Sequence, residues 1–186
     1  MIGIDEVGRG CWAGPLLVVA ARDTRALPGG LADSKTLTKA RREALLAGIQ
    51  ASCDLGQGWV EPAEIDQLGL TGAMKLAVQR ALEALQADTA EDIIMDGNYN
   101  YCPPGYTQVT CVVKADASYP IVSAASVFAK VSRDKRMAEL ALEHPGYGFE
   151  KHVGYGTKAH LEALQQRGIT VLHRQSYKPI QVFIGR

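Results

Sequence analysis

Met1-Ile2-Gly3-Ile4-Asp5-Glu6-Val7-Gly8-Arg9-Gly10 opens the chain. A short apolar run ends in two adjacent carboxylates, and Gly-Arg-Gly follows at once. If Ile2 to Glu6 is a strand, its side chains alternate between two faces, so Asp5 and Glu6 reach one ion only where the strand ends or twists. A cation there would relieve their mutual repulsion. Gly8 and Gly10 allow positive φ and close backbone approach to a ligand, while Arg9 offers a rigid fork of donors suited to phosphate or sugar oxygens. Acid pair plus Gly-Arg-Gly suggests a metal beside a nucleic-acid backbone. Taken alone, the same letters also describe a surface strand end and a flexible turn, so the rest of the chain has to decide.

Working outward, Leu16 to Arg22 reads as a second strand, turned by Ala13-Gly14-Pro15 and ended by Pro28-Gly29-Gly30, which makes a hairpin with the first. Asp33-Ser34-Lys35-Thr36-Leu37 places N-cap residues ahead of a helical stretch, Lys39 to Gln50, and Gly56 to Glu61 is a third strand. Pro62 to Leu68 and Thr71 to Gln86 carry helical spacing through Met74, Leu76, Val78, Leu82 and Leu85. They lead into Ile93-Ile94-Met95-Asp96-Gly97, a buried strand ending in an acid. Gln108 to Lys114, after Pro103-Pro104-Gly105, is a Val-rich strand that also runs into an acid, Asp116. A long helix follows, about Ile121 to Glu143. The stretch from His144 to Gly156 is rich in Gly and aromatics, and Thr157 to Arg167 returns to helical spacing with Gly168 as C-cap. These elements predict an α/β fold, a mixed sheet flanked by helices in a single domain over residues 1–186, helical from about residue 140, with its site at strand carboxyl ends.

Composition narrows the function classes. The 186 residues are 47% hydrophobic and 22% charged, and 20 Lys plus Arg balance 20 Asp plus Glu, so any nucleic-acid contact must be local rather than spread over a basic surface. No apolar run approaches the roughly 20 residues of a membrane span, and no leader-like segment precedes the first strand, which gives a cytoplasmic expectation. Cys11, Cys53, Cys102 and Cys111 lack Cys-x-x-Cys spacing and read as reduced thiols rather than a disulfide or zinc framework.

Three strand-like runs each finish in carboxylates: Asp5 with Glu6, then Asp96, then Asp116. Buried acids converging on one spot need a cation partner, and hard oxygen ligands without His or Cys favour Mg²⁺ or Mn²⁺ over zinc. Two such ions about 4 Å apart can activate a water and stabilise the leaving oxygen in phosphodiester cleavage. Singly, Asp96 before Gly97 would serve as a turn former and Asp116 as a helix cap. Asp134, among the basic residues of Ser132-Arg133-Asp134-Lys135-Arg136, reads as a salt-bridged surface group.

With these runs in hand, the chain resembles the ribonuclease HII family, the bacterial type 2 ribonucleases H. Gly3-Ile4-Asp5-Glu6-Val7-Gly8-Arg9-Gly10 with Ala13-Gly14-Pro15 is similar to the family's opening signature, and Asp33-Ser34-Lys35 to its Asp-Ser-Lys segment. Asp96-Gly97-Asn98 resembles the third acid's motif. Lys114-Ala115-Asp116, then Ser123-Ala124-Ala125-Ser126 and Ala129-Lys130-Val131-Ser132-Arg133-Asp134, resembles the fourth acid's motif and the helix after it. Gly154-Tyr155-Gly156 with Thr157 and His160 resembles the late Gly-Tyr motif. Cys11-Trp12 depart from the Pro-Leu of many relatives.

The resemblance implies a ribonuclease H-like fold with a central five-stranded sheet, and Asp5, Glu6, Asp96 and Asp116 as catalytic acids holding two ions, Mn²⁺ or Mg²⁺. It implies hydrolysis of RNA in RNA-DNA hybrids and incision 5′ to a ribonucleotide in duplex DNA, leaving 3′-hydroxyl and 5′-phosphate ends, in ribonucleotide excision and RNA primer removal. Gly8, Arg9 and Gly10 would contact the ribose 2′-hydroxyl and its phosphate, Tyr155 would stack on the next sugar, and Lys35 and Ser34 would assist phosphate binding. Arg133 and Lys130 would hold the nucleic-acid backbone or solvate a helix face. Trp12 would pack beside the site, and the four histidines would be structural or solvated. A monomer is expected, with no N-terminal substrate-binding domain and with a C-terminus, Gln181-Val182-Phe183-Ile184, lacking a full sliding-clamp-binding pattern. The rival readings are a ribonuclease HIII-like enzyme and a non-catalytic nucleic-acid-binding protein of the same fold.

Overall fold

Five strands and seven helices make up the described residues, 1–31 and 37–185, of the computed structural model. The strands are β1 (Ile2–Val7), β2 (Leu16–Asp23), β3 (Cys53–Val60), β4 (Ile93–Asp96) and β5 (Val109–Val112). The helices are α1 (Lys39–Ser52), α2 (Pro62–Leu85), α3 (Ala115–Ser118), α4 (Pro120–Glu143), α5 (Phe149–His152), α6 (Lys158–Arg167) and α7 (Lys178–Gln181). The strands form one sheet in the order β3-β2-β1-β4-β5. β1 pairs antiparallel with β2 and parallel with β4, so the sheet is mixed, as the sequence predicts, and the carboxyl ends of β1 and β4 lie side by side at its centre.

Period-two alternation sorts the side chains between two cores. Ile2, Ile4, Leu16, Val18, Ala20 and Met95 face α2, where Ile65, Met74, Val78 and Leu82 meet them. Leu17, Val19, Ala21 and Ile94 face α1 and α4, against Leu45, Ile49, Ile121, Val122, Ala125 and Phe128. Each such large aliphatic side chain contributes about 2 kcal/mol by leaving water. Gly3, Gly56 and Gly58 let the helices approach the sheet closely. A Cβ on Gly58 would lie 1.8 Å from the Ala77 carbonyl oxygen of α2, and one on Gly3 would lie 2.6 Å from the Ile121 backbone of α4.

α2 unites the two predicted helical stretches across a kink at Gly69 (φ 67°, ψ 167°), a conformation open to Gly because it has no Cβ. The N-cap of α1 is Thr38, whose hydroxyl accepts from the Arg41 N–H, so the capping expected of Asp33 to Leu37 falls one residue beyond that segment. Asp116 is not at a strand end. β5 stops at Val112, Lys114 turns the chain in the left-handed region (φ 59°), and Asp116 sits in α3. From residue 144 onward the chain folds back over the loop between β1 and β2. Ala13 bridges His173, and Ala13, Met137, Tyr147, Phe149 and Leu172 share a smaller core. No helix among the described residues is long and apolar enough to cross a membrane.

Candidate active site

The strand register brings two acids together. Ile4 pairs with Met95 across β1 and β4, so Asp5 and Asp96 are the next residues of adjacent parallel strands. Asp5 follows Gly3 and Asp96 follows Ile94 at intervals of two, which turns both toward the α4 face. There Ser126 of α4 hydrogen-bonds the Asp5 carboxylate. Asp96 Oδ1 accepts from the Ala115 N–H at 2.7 Å, pinning the start of α3 one residue before Asp116. Asp5 and Asp116 are 8% and 5% exposed, and Glu6 and Asp96 are half-buried.

Burial, reinforced by the charges of Glu6 and Asp96, pushes the Asp5 carboxyl up to about 8, against the opposing pull of Ser126. Among the described residues no three carboxylate, imidazole or thiol groups are already closed around a point in metal-binding spacing. The donor chemistry nonetheless fits a hard divalent ion: buried oxygen ligands, mutual repulsion that a cation relieves, and no nitrogen or sulfur ligand in the register.

Beside Asp5 opens a cleft of ≈ 350 Å³ lined by Asp5 to Gly10, Ser126, Lys130 and Tyr155. Its floor is a loop held from behind by two fully buried guanidinium groups. Arg133 donates to the carbonyls of Pro15 (2.8 Å), Val153 (2.8 Å) and Ala13 (3.3 Å). Arg174 donates to the Gly14 carbonyl (2.8 Å), the Arg9 carbonyl (3.0 Å) and the Tyr177 hydroxyl (3.0 Å). Tyr177 itself donates to the Arg9 carbonyl at 2.8 Å. The peptide bonds are trans, so turning the Arg9 carbonyl inward turns the Gly10 N–H outward. Gly8 takes φ 88° against the Arg133 side chain. Gly10 lies outside the positive-φ region and faces open space, so its merit is access rather than the backbone freedom expected of it.

The family model described as Ribonuclease HII matches residues 2–180. The chain belongs to the ribonuclease HII family. It is 46% identical over 180 residues to the ribonuclease HII of Jannaschia sp. (strain CCS1), covering 96% of this chain and 89% of that one. Two solved structures share its fold. The ribonuclease HII in the PCNA:RNase HII complex of Archaeoglobus fulgidus superposes with a TM-score of 0.77 at 26% identity, covering 95% of this chain and 94% of that one. The ribonuclease H2 of Pyrococcus horikoshii OT3 does so with a TM-score of 0.75 at 25% identity, over 98% and 95% of the two chains. Membership makes the chain a divalent-metal-dependent endoribonuclease, a hydrolase.

In this ribonuclease HII family member, the remaining expected site residues divide. Arg9 is exposed, 3.8 Å from Glu6 and 3.3 Å from the Tyr101 hydroxyl, at the mouth of the cleft. Tyr155 is 41% exposed, and its hydroxyl meets the Cys11 thiol. The indole of Trp12 lies against Gly156. Lys130 lines the cleft and pairs with Asp134 at 2.8 Å. Ser34 and Lys35 lie outside the described residues. Arg133 does neither of the things expected of it: it is 0% exposed and serves the protein's own backbone. Arg174 and Tyr177 escaped sequence reading altogether. An Arg in a polar tail carries no periodic signal, and only the density of Gly-containing turns at 8–15 and 154–156 hints that something must satisfy their carbonyls.

Proposed function

We propose that this enzyme hydrolyses the RNA strand of RNA-DNA hybrids and incises DNA duplexes on the 5′ side of a single embedded ribonucleotide, leaving 3′-hydroxyl and 5′-phosphate ends. The observation that carries the reading is the adjacency of Asp5 and Asp96 in register, opening into a cleft whose floor is Gly8-Arg9-Gly10 and whose rim is Tyr155. Asp5, Glu6, Asp96 and Asp116 would hold two divalent ions, Mn²⁺ or Mg²⁺. When bound, such ions activate a water and stabilise the leaving 3′ oxygen in phosphodiester hydrolysis.

The protein's own groups select the bond. The outward Gly10 N–H offers a donor to a ribose 2′-hydroxyl, the one group that separates RNA from DNA at that position. Arg9, steered by Glu6 and Tyr101, meets the adjoining phosphate, and the Tyr155 ring stacks on the following sugar. Lys35 and Ser34 belong to the same reading as phosphate contacts, and ribonucleotide excision and primer removal in the cytoplasm follow as its biological setting. A monomer suffices, since one chain supplies every group named. The C-terminal Gln181 to Ile184 gives no support for clamp binding.

The test uses a labelled DNA duplex with one ribonucleotide, incubated with Mg²⁺, Mn²⁺ or EDTA beside an all-DNA duplex and an Asp96→Asn variant. A metal-dependent cut 5′ to the ribonucleotide, absent from the controls, supports the reading. Binding without cutting, or cutting of long RNA tracts alone, overturns the single-ribonucleotide part.

A further inference from the structure

Three histidines lie buried under the Tyr155 segment, and their hydrogen bonds fix a direction. His173 Nδ1 receives the Thr170 backbone N–H at 2.9 Å; an amide N–H only donates, so Nδ1 is bare and Nε2 carries the proton. His160 Nδ1 lies 3.0 Å from the Tyr155 carbonyl; a carbonyl only accepts, so here Nδ1 carries the proton and Nε2 is bare. The two Nε2 atoms stand 3.1 Å apart, one with a proton and one without, and the chain closes with no conflict. It runs from Thr170 through His173 and His160 to Tyr155, with both rings neutral. Burial supports the neutral forms, holding both imidazoles down to about 4. His152, stacked on His160 at 4.5 Å, receives the Gly154 N–H on Nδ1 and donates from Nε2 to the Tyr147 carbonyl.

We propose that His160, oriented by His173, is a positioning residue that sets the Tyr155 backbone and so determines how the Tyr155 ring meets substrate. The proposal rests on the reading of Tyr155 as a substrate-stacking residue. The backbone here needs such support. Val153, two residues earlier, holds φ 45°, which a β-branched side chain rarely adopts unless its surroundings enforce it. Arg133 and the Cys11 thiol both hold the Val153 carbonyl, and His152 holds the Gly154 N–H. The Tyr155 carbonyl accepts from the Thr157 N–H at 2.9 Å and from the His160 side chain, which ties it to the buried histidines, while the ring of Tyr155 projects to the cleft. The unusual Nδ1–H form of His160 is thus selected by its neighbours and not by chance.

Two substitutions separate its two nitrogens. In His160→Asn the amide N–H stands where Nδ1–H stood and keeps the bond to Tyr155. In His160→Gln the amide reaches the Nε2 position and keeps His173 while losing Tyr155. Steady-state cleavage of the single-ribonucleotide duplex is measured for both, alone and combined with Tyr155→Ala, with thermal melts and imidazole ¹⁵N shifts recorded alongside. We expect KM to rise about tenfold in His160→Gln with kcat within about twofold, most of that rise to be recovered in His160→Asn, and His160→Gln to add nothing in the Tyr155→Ala background. The ¹⁵N spectrum at pH 7 should show His160 protonated on Nδ1 and His173 on Nε2. An unchanged KM in His160→Gln while Tyr155→Ala raises it, equal effects in both Tyr155 backgrounds, or an Nε2–H form of His160 overturns the proposal alone. An unchanged KM in Tyr155→Ala overturns the stacking reading and the proposal with it.

Discussion

Arg174 Nη1 donates to the carbonyl oxygen of Arg9 at 3.0 Å. That bond joins a fully buried guanidinium to the backbone of an exposed residue at the mouth of the cleft, and it orients the Arg9–Gly10 peptide from behind. Replacing Arg174 by Met leaves the Gly14 and Arg9 carbonyls facing a nonpolar side chain, which should lower stability by about 3 kcal/mol in urea denaturation. Arg174→Lys keeps the charge but not the fork. It should fold and show a roughly tenfold lower kcat/KM on the single-ribonucleotide duplex; parental kinetics would show that the loop holds its shape unaided.

Asp96 and Asp5 should separate function from fold in opposite ways. Asp96→Asn retains an oxygen for the Ala115 N–H, so its melting temperature should stay within about 2 °C of the parent while cleavage falls at least about a hundredfold. Asp5→Asn removes a buried acid crowded by Glu6 and Asp96, so in EDTA it should melt no lower than the parent, and it too should be inactive. Calorimetry in EDTA and a cleavage assay in Mn²⁺ decide both.

The neutral histidine pair predicts acid sensitivity of the fold. Unfolded imidazoles take up protons near pH 6.5, whereas His160 and His173 resist until about 4. Well above pH 6.5 neither state binds these protons and the pair's contribution is flat. As pH falls from 6.5 toward 4, the unfolded chain gains protons that the fold refuses, and stability declines by on the order of 2 kcal/mol per imidazole. Asp5, which takes up its proton in the fold from about pH 8 downward, works the other way over the same range, so the pair is read by difference: between pH 7 and 4.5 in EDTA the parent's urea midpoint should lose more, or gain less, than that of His173→Asn, and parallel curves for the two proteins would contradict the assignment.

Gly8→Ala should couple fold and site. A Cβ at residue 8 would lie 2.2 Å from Arg133 Nε at a φ of 88°, so either the loop or the guanidinium must move. A stability loss of about 2 kcal/mol and a fall in activity are expected together. In thermal melts of both variants, Gly10→Ala, facing open space and lacking positive φ, should match the parent, which isolates its effect on cleavage.

Strand ends were legible in the sequence where a local rule governed them. Ile2 to Val7 and Ile93 to Asp96 are short apolar runs punctuated by acids and glycine, and the α2 break at Gly69 falls in the gap between two helical spacings. Asp5, Asp96 and their shared face follow from period-two alternation once the parallel register is known. What escaped was set by tertiary contact. Asp116 reads as a strand end because Val-rich sequence continues to Val113, yet Lys114 turns left-handed and starts a helix. Arg133 reads as a surface cation on a helix until its three carbonyl partners, from loops far off in sequence, are seen. Arg174 had no local signature at all.

The bracing of the Gly8-Arg9-Gly10 loop also sets an order of events during synthesis. β1 and its signature precede the brace, and Arg174 is translated 165 residues after Arg9. At about 5 to 20 residues per second, this leaves on the order of ten seconds or more in which the loop exists without the guanidinium that shapes it. By then Asp5, Glu6, Asp96 and Asp116 have all been made. The four acids thus exist in the nascent chain before the guanidinium that shapes the Gly8-Arg9-Gly10 loop, and the loop takes its finished form only once this later-made brace has folded back.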